Sequence, residues 1–165
     1  MKSVCRVVVI AFLLVYCLAV PLTGQNYDTG SWWYGFFGAG AETKGYFEDN
    51  YWHTGGGYET LLRGGLGIGI ELGGLSFPGY ADGIIMFSPG VLYTFNLDNK
   101  TRPFLTAGYT YFIFDESSSG GGFFGGGINH FLGDSWGIRL DVRDHIADNK
   151  WATRNYMEAR IGIFF

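Results

Sequence analysis

Along most of the chain apolar and polar residues alternate with a period of two, the pattern of strands whose two faces meet different surroundings. In NYMEARIGIFF, Met157, Ala159, Ile161, Ile163 and Phe165 share one face, and Tyr156, Glu158, Arg160, Gly162 and Phe164 share the other. In WGIRLDVRDH, Trp136, Ile138, Leu140 and Val142 alternate with Gly137, Arg139, Asp141 and Arg143. In LGIGIELGG, Leu66, Ile68, Ile70 and Leu72 oppose Gly67, Gly69, Glu71 and Gly73. Segments bounded by turn residues predict eight strands, over 32–42, 53–61, 66–75, 83–95, 103–114, 121–131, 136–146 and 155–165. The connections alternate: 42–52, 76–82, 115–120 and 147–154 at one end, and the mostly shorter 62–65, 96–102 and 132–135 at the other.

The composition of the second face decides which way the sheet turns. In a soluble barrel the greasy face points into the core and the charged face to water. Here the non-greasy face combines charge with Gly, which suits a crowded interior better than an open surface. The greasy face then looks outward, into lipid. An even number of strands of about ten residues, with short turns at one end and longer loops at the other, is the plan of a transmembrane barrel. The fold class expected is therefore all-β: an eight-stranded antiparallel up-and-down transmembrane β-barrel. Ile68, Ile70, Leu72, Leu140, Val142, Ile161 and Ile163 are expected to face lipid. Interfacial girdles are expected from Trp32, Trp33, Tyr93, Phe95, Phe104, Phe131, Trp136 and Phe165 at the periplasmic end, and from Tyr51, Trp52, Tyr111, Phe114, Phe123, Trp151 and Tyr156 at the external end.

The N-terminus reads differently. Lys2 and Arg6 precede an unbroken apolar run from Val7 to Val20, followed by Pro21 and small or polar residues. This is a secretory signal peptide, residues 1–24, with cleavage after Ala19 or Gly24, leaving the barrel domain over 25–165. Cys5 and Cys17 both lie in the segment to be removed, so the mature chain offers no disulfide and no thiolate metal site. Of 165 residues, 28 are Gly, 15 Phe, 11 Tyr and 5 Trp, while 16% are charged, a low share for a surface facing water. Loss of Lys2 and Arg6 reduces the 11 basic residues to nine against 15 acidic, a net charge of −6. No basic footprint for nucleic acid remains.

The signal peptide, the eight alternating segments and a final strand ending in Phe165 resemble the small outer-membrane β-barrel superfamily of Gram-negative bacteria, the OmpA and OmpX type. The terminal YMEARIGIFF resembles the signal read by the barrel-assembly machinery, carried by Tyr156, Ile161, Ile163 and Phe165. The resemblance implies a bacterial outer-membrane protein, monomeric, held in outer-membrane lipid and lipopolysaccharide after passage through the periplasm. Because the sequence stops at the barrel, the peptidoglycan-binding domain that follows it in larger OmpA-type proteins is expected to be missing.

Candidate chemistry is sparse. Lipid A-modifying barrels use a His beside a Ser and an acid; His130, in GINHFLG, lacks the His-x-Ser spacing of the deacylases. His53 has no partner at a ligand-like spacing, and Asp144 beside His145 points to the opposite face. Ser117, Ser118 and Ser119 read as a loop tip, and the Gly runs at 120–122 and 125–127 lack the Lys and the helix of a phosphate loop. No catalytic residue, metal or cofactor is expected. Eight strands leave an interior about wide enough for side chains, and Glu59, Glu71, Asp141 and Glu158 stand nearly balanced against Arg139, Arg143 and Arg160. The final hairpin can pair its inward faces in two registers. One sets Asp141 against Glu158 and Arg139 against Arg160, like charge on like. The other sets Arg143 against Glu158, Asp141 against Arg160 and Gly162 against Arg139, and is the one expected, with Glu59 and Glu71 left to receive Arg139. The function expected is a non-enzymatic barrel with a plugged polar lumen, acting through its surface loops in envelope integrity, adhesion or recognition. The alternative is a soluble lipocalin-like barrel that binds a small hydrophobe, and a lipid A-modifying enzyme stands behind both.

Overall fold

The computed structural model describes residues 30–42, 50–78, 83–113, 118–149 and 152–165. The signal peptide, Phe114, Ser117, Trp151 and most of the long connections lie outside them. Eight strands follow in chain order: β1 Gly30–Glu42, β2 Asn50–Leu61, β3 Leu66–Ser76, β4 Ile84–Thr94, β5 Thr101–Ile113, β6 Ser118–Phe131, β7 Gly137–Asn149 and β8 Ala152–Phe164. They pair antiparallel with their sequence neighbours, and β8 closes on β1. The expected strands are all present, and most run one to three residues longer than the alternation marked.

The short turns are built as their residues allow. Between β2 and β3 the chain reverses through Gly64 and Gly65, at φ 74° and 84°. A Cβ on Gly65 would fall on the Thr94 carbonyl, so this turn needs Gly twice over. Between β4 and β5, Asn96 takes φ 54° and its carbonyl accepts from Asn99 N–H at 2.9 Å.

Following paired residues once around the barrel fixes its size. Trp32 leads to Glu59, Gly69, Gly90, Gly108, Phe123, His145 and Tyr156, and then to Glu42. One circuit thus climbs ten residues along β1, from 32 to 42. Eight strands staggered in this way tilt by roughly 40° and enclose a space that side chains fill.

Apolar residues point outward and charge points inward, the reverse of a soluble ligand-binding barrel. Ile68, Leu140, Val142, Ile161 and Ile163 are exposed on the outer wall. Ile70 and Leu72 flank the interior Glu71 and share that wall, half covered by their neighbours. Trp33, Trp52, Tyr93, Phe95, Tyr111, Trp136 and Phe165 also lie outside the interior. Five of the expected girdle residues do not: Trp32, Tyr51, Phe104, Phe123 and Tyr156 are buried inside, and Phe131 is partly buried against the interior cluster at its end. Two apolar clusters close the interior. Trp32, Tyr34, Phe36, Leu61, Leu92 and Phe164 pack at the short-turn end, and Tyr51, Leu75, Met86, Phe112, Ala147 and Tyr156 at the other.

Candidate functional site

Between the two apolar clusters lies a layer of charge. On the final hairpin Asp141 stands opposite Arg160, Arg143 opposite Glu158 and Arg139 opposite Gly162, the register in which like charges are kept apart. Asp141 is the hub. Arg160 donates to both of its oxygens, from Nε at 2.6 Å and Nη2 at 3.1 Å, and Arg139 Nε donates at 2.8 Å. Across the interior, Arg139 Nη1 reaches Glu59 at 2.8 Å. Glu71 takes Arg160 Nη1 at 2.7 Å and Arg143 Nη1 at 3.1 Å.

These contacts correct one expectation. Glu71 receives Arg160 and Arg143, and Arg139 goes to Glu59 alone of the two. Arg143 stands opposite Glu158 in the expected register, and its guanidinium on a long stem reaches past the adjacent strand to Glu71. A Cβ on Gly162 would meet the Gly35 carbonyl at 2.6 Å and then Phe36 at 3.2 Å.

Aromatic groups finish the layer. Trp32 Nε1 donates to Glu59 at 3.1 Å and the Tyr34 hydroxyl to Glu71 at 2.7 Å. Arg139 lies over the Phe104 and Tyr34 rings, and Arg160 over Phe36, with the guanidinium carbon 4.1, 4.6 and 4.2 Å from the ring centres. Inward Gly residues make the floor beneath these side chains: a Cβ on Gly38 would meet the Arg160 stem, one on Gly125 the Arg143 stem, and one on Gly127 Asp141. A buried ion network of this kind holds only when each charge finds partners. One cavity of about 10 Å³ lies among Tyr34, Glu59, Glu71, Ser88 and Arg143, room for about one water molecule.

A second polar layer adjoins the first and was not legible as a site in the sequence. Glu158 stands between two buried imidazoles, with Oε2 2.7 Å from His53 Nδ1 and Oε1 3.4 Å from His145 Nε2. His145 Nδ1 is 2.9 Å from the Thr110 hydroxyl, which is 2.9 Å from that of Ser88. The five groups come from β2, β8, β7, β5 and β4. The signal that could have found them is parity: His53 lies on the face of Glu59, and His145 on the face of Asp141 and Arg143.

A hydroxyl, an imidazole and a carboxylate in sequence form a relay of the kind that activates nucleophiles. Here Thr110 and His145 have no exposed surface, and Phe112 and Phe123 rings lie against the imidazole. His130 is exposed near the short-turn end and bonds Thr101 at 2.8 Å. Among the described residues no group of three or more His, Cys, Asp or Glu has metal-holding geometry.

Ile161 and Ile163 on β8, and Phe165 just after it, share the outer wall, while Tyr156 points inward. Phe165 also completes the seam, since its N–H and C=O exchange hydrogen bonds of 2.9 Å with Trp33.

A family model described as "Outer membrane protein beta-barrel domain" matches residues 10–162. Among solved structures, Neisserial surface protein A is similar with a TM-score of 0.66 at 10% identity, over 82% of this chain and 97% of that one. The N-terminal β-barrel domain of Pseudomonas aeruginosa OprF gives 0.62 at 13% identity, over 86% and 100%. Ail, the attachment invasion locus protein of Yersinia pestis, gives 0.55 at 10% identity, over 84% and 99%. These likenesses are of fold. No curated protein matches by sequence.

Proposed function

The chain belongs to the outer membrane protein beta-barrel domain family, whose place is the bacterial outer membrane, and from that premise we propose a non-enzymatic integral barrel with a lumen closed to solutes, acting through its surface loops. The observation that carries this reading is the filling of the interior. Asp141, Glu59 and Glu71 are bound by three guanidiniums, apolar clusters stand at both ends, and the cavity beside Tyr34, Glu71 and Arg143 has room for about one water. A wide selective channel would instead carry an excess of one sign and a continuous wet path. The relay through Thr110, His145 and Glu158 is sealed beneath aromatic rings, which supports a structural use over catalysis.

In this reading the short-turn end faces the periplasm and the long connections face outward, where they carry envelope integrity, adhesion or recognition. Outer-leaflet lipid and lipopolysaccharide surround a monomer. The terminal Ile161, Ile163 and Phe165, with Tyr156, serve the barrel-assembly machinery during insertion.

Refolding the protein into phosphatidylcholine vesicles tests the closed lumen. At neutral pH, vesicles carrying the folded barrel are expected to swell in sucrose or arabinose no faster than empty ones. Swelling at rates typical of a porin would overturn the reading.

A further inference from the structure

The outer wall holds one acid that the ion network does not use. Asp144 on β7 pairs with Phe124 on β6 and Met157 on β8, both more than half exposed on that wall, so its side chain leaves the sheet on the lipid side. It is only 9% exposed, and its Oδ1 is enclosed with no hydrogen-bond partner. Its depth follows from the strand. Trp136 stands at the short-turn rim, and Asp144 follows it by eight residues. Each residue of a strand tilted by roughly 40° climbs about 2.5 Å, which puts Asp144 about 20 Å up an apolar band about 25 Å tall. No other charged residue of the described strands falls on the outer wall within that band.

We propose that the outer wall at Asp144, Phe124, Tyr109 and Gly122 binds the ammonium group of an amine-bearing lipid in the leaflet on the long-loop side. The site stands whether or not the lumen is closed. An ionisable side chain at this depth costs free energy unless a group in the membrane pairs with it. A carboxyl accepts a hydrogen bond in either protonation state, so the group that completes Asp144 is a donor. Gly122 lies one outward position along β6 from Phe124 and is exposed, with no atom closer than 3.9 Å to where a Cβ would sit. Tyr109 pairs with it from β5, and the Tyr109 ring leans over Gly120, edge-on to Tyr111 at 4.8 Å, so that Gly122 stays bare. A patch of bare backbone is thus bordered by two exposed aromatic residues and an acid. Aromatic faces attract an organic cation, and the acid accepts from its N–H.

Depth and charge together select a lipid. The phosphates and esters of lipids are acceptors, which Asp144 cannot use, whereas an amine carries both the N–H and the positive charge. The site lies within the acyl layer, close beneath the headgroups, so its occupant must be held there by apolar chains of its own. Below Asp144 the wall continues as Val142, Leu140, Ala159 and Ile161, a surface for such chains. A second copy of the barrel does not fit: Arg102, Arg139, Arg143, Arg154 and Arg160, the cations of the described strands, all lie on the inner face. Met157, unbranched and flexible, is the side of the site that gives way as the ammonium enters.

The test is electron spin resonance on phosphatidylcholine vesicles carrying the refolded barrel, with chain-spin-labelled octadecylamine as the probe and its uncharged N-acetyl form as the reference. The wild-type barrel is expected to hold the amine about threefold more strongly than the reference, the preference that one cation–π contact or exposed ion pair gives. Asp144→Asn is expected to lose that preference. Asp98→Asn, in a short turn, removes the same charge and is expected to keep it. Heat-modifiability on gels reports folding; where Asp144→Asn does not fold, Gly122→Leu, which covers the bare backbone, takes its place with the same expected loss. No preference in the wild-type barrel, or one that survives in the variant used, would overturn the site. An equal loss in Asp98→Asn would assign the preference to overall charge and overturn the site too. In cells, a photo-crosslinker in place of Phe124 is expected to capture amine-bearing lipid. Capture of a protein, or only of lipids without an amine, would overturn the proposed occupant.

Discussion

Asp141 is one small carboxylate that holds Arg139 and Arg160 at hydrogen-bond distance, with Arg143 at 3.7 Å. Removing Arg160 frees a lone pair on Asp141 and another on Glu71, both buried. Breaking a buried ionic pair by deleting one partner costs about 3–5 kcal/mol, and Arg160→Ala falls at the low end because Arg143 still serves both acids. Asp141→Ala made in that background is expected to add at least ~1 kcal/mol less than it costs alone, the coupling of residues in one network. Urea titration of the refolded barrel in lipid, on the two single variants and the double, measures this. Simple additivity would mean that Arg160 and Asp141 do not hold each other. Gly127 shows the same crowding from the backbone side: a Cβ there meets the Leu140 carbonyl and Asp141 at once, with no flexible side chain able to make way for both.

At the scale of the strand, the two walls obey different rules. Val142 and Ile161 on the outer wall are more than half exposed, at 52% and 55%. A charged residue there near the bilayer midplane costs roughly 2–4 kcal/mol. Val142→Arg is expected to lose about that much folding free energy in vesicles, whereas Gly122→Ala on the same wall, with nothing closer than 3.9 Å to the added methyl, is expected to change it little. Equal losses would mean that Val142 does not face lipid. Gly69 would be a poor control, since a Cβ there presses on the Glu59 stem.

Alternation made the strands, their number, the outer wall and the hairpin register of β7 and β8 legible in the sequence, because each follows from period two and from keeping like charges apart. The aromatic residues were legible only in part. Burial in lipid and burial over a guanidinium reward the same ring, so position near a strand end could not separate girdle from interior. Parity could: Tyr156 shares its face with Glu158 and Arg160, Tyr51 with His53, and Phe104 with Arg102. The choice of partner within the network was out of reach for another reason. Register gives backbone neighbours, while an Arg such as Arg143 spans the interior to Glu71.

For the whole molecule, closure is the step that makes a barrel of a sheet, because it leaves no edge with unpaired backbone groups. The seam joins β1 to β8, and its last rungs are the two 2.9 Å hydrogen bonds between Trp33 and Phe165. Phe165 therefore has two separable parts: a backbone that closes the seam, and an exposed ring on the outer wall that we assign to the assembly signal. Deleting the residue removes both, and Phe165→Ala removes only the ring. If the ring is what the assembly machinery reads, Phe165→Ala lowers the folded, heat-modifiable barrel in the outer membrane of cells while the purified chain still folds into vesicles at the wild-type rate. The deletion is expected to impair both, in vesicles by the ~1–3 kcal/mol typical of losing one or two backbone hydrogen bonds. Normal surface levels of Phe165→Ala would remove the ring from the signal and leave Phe165 as the closing rung alone.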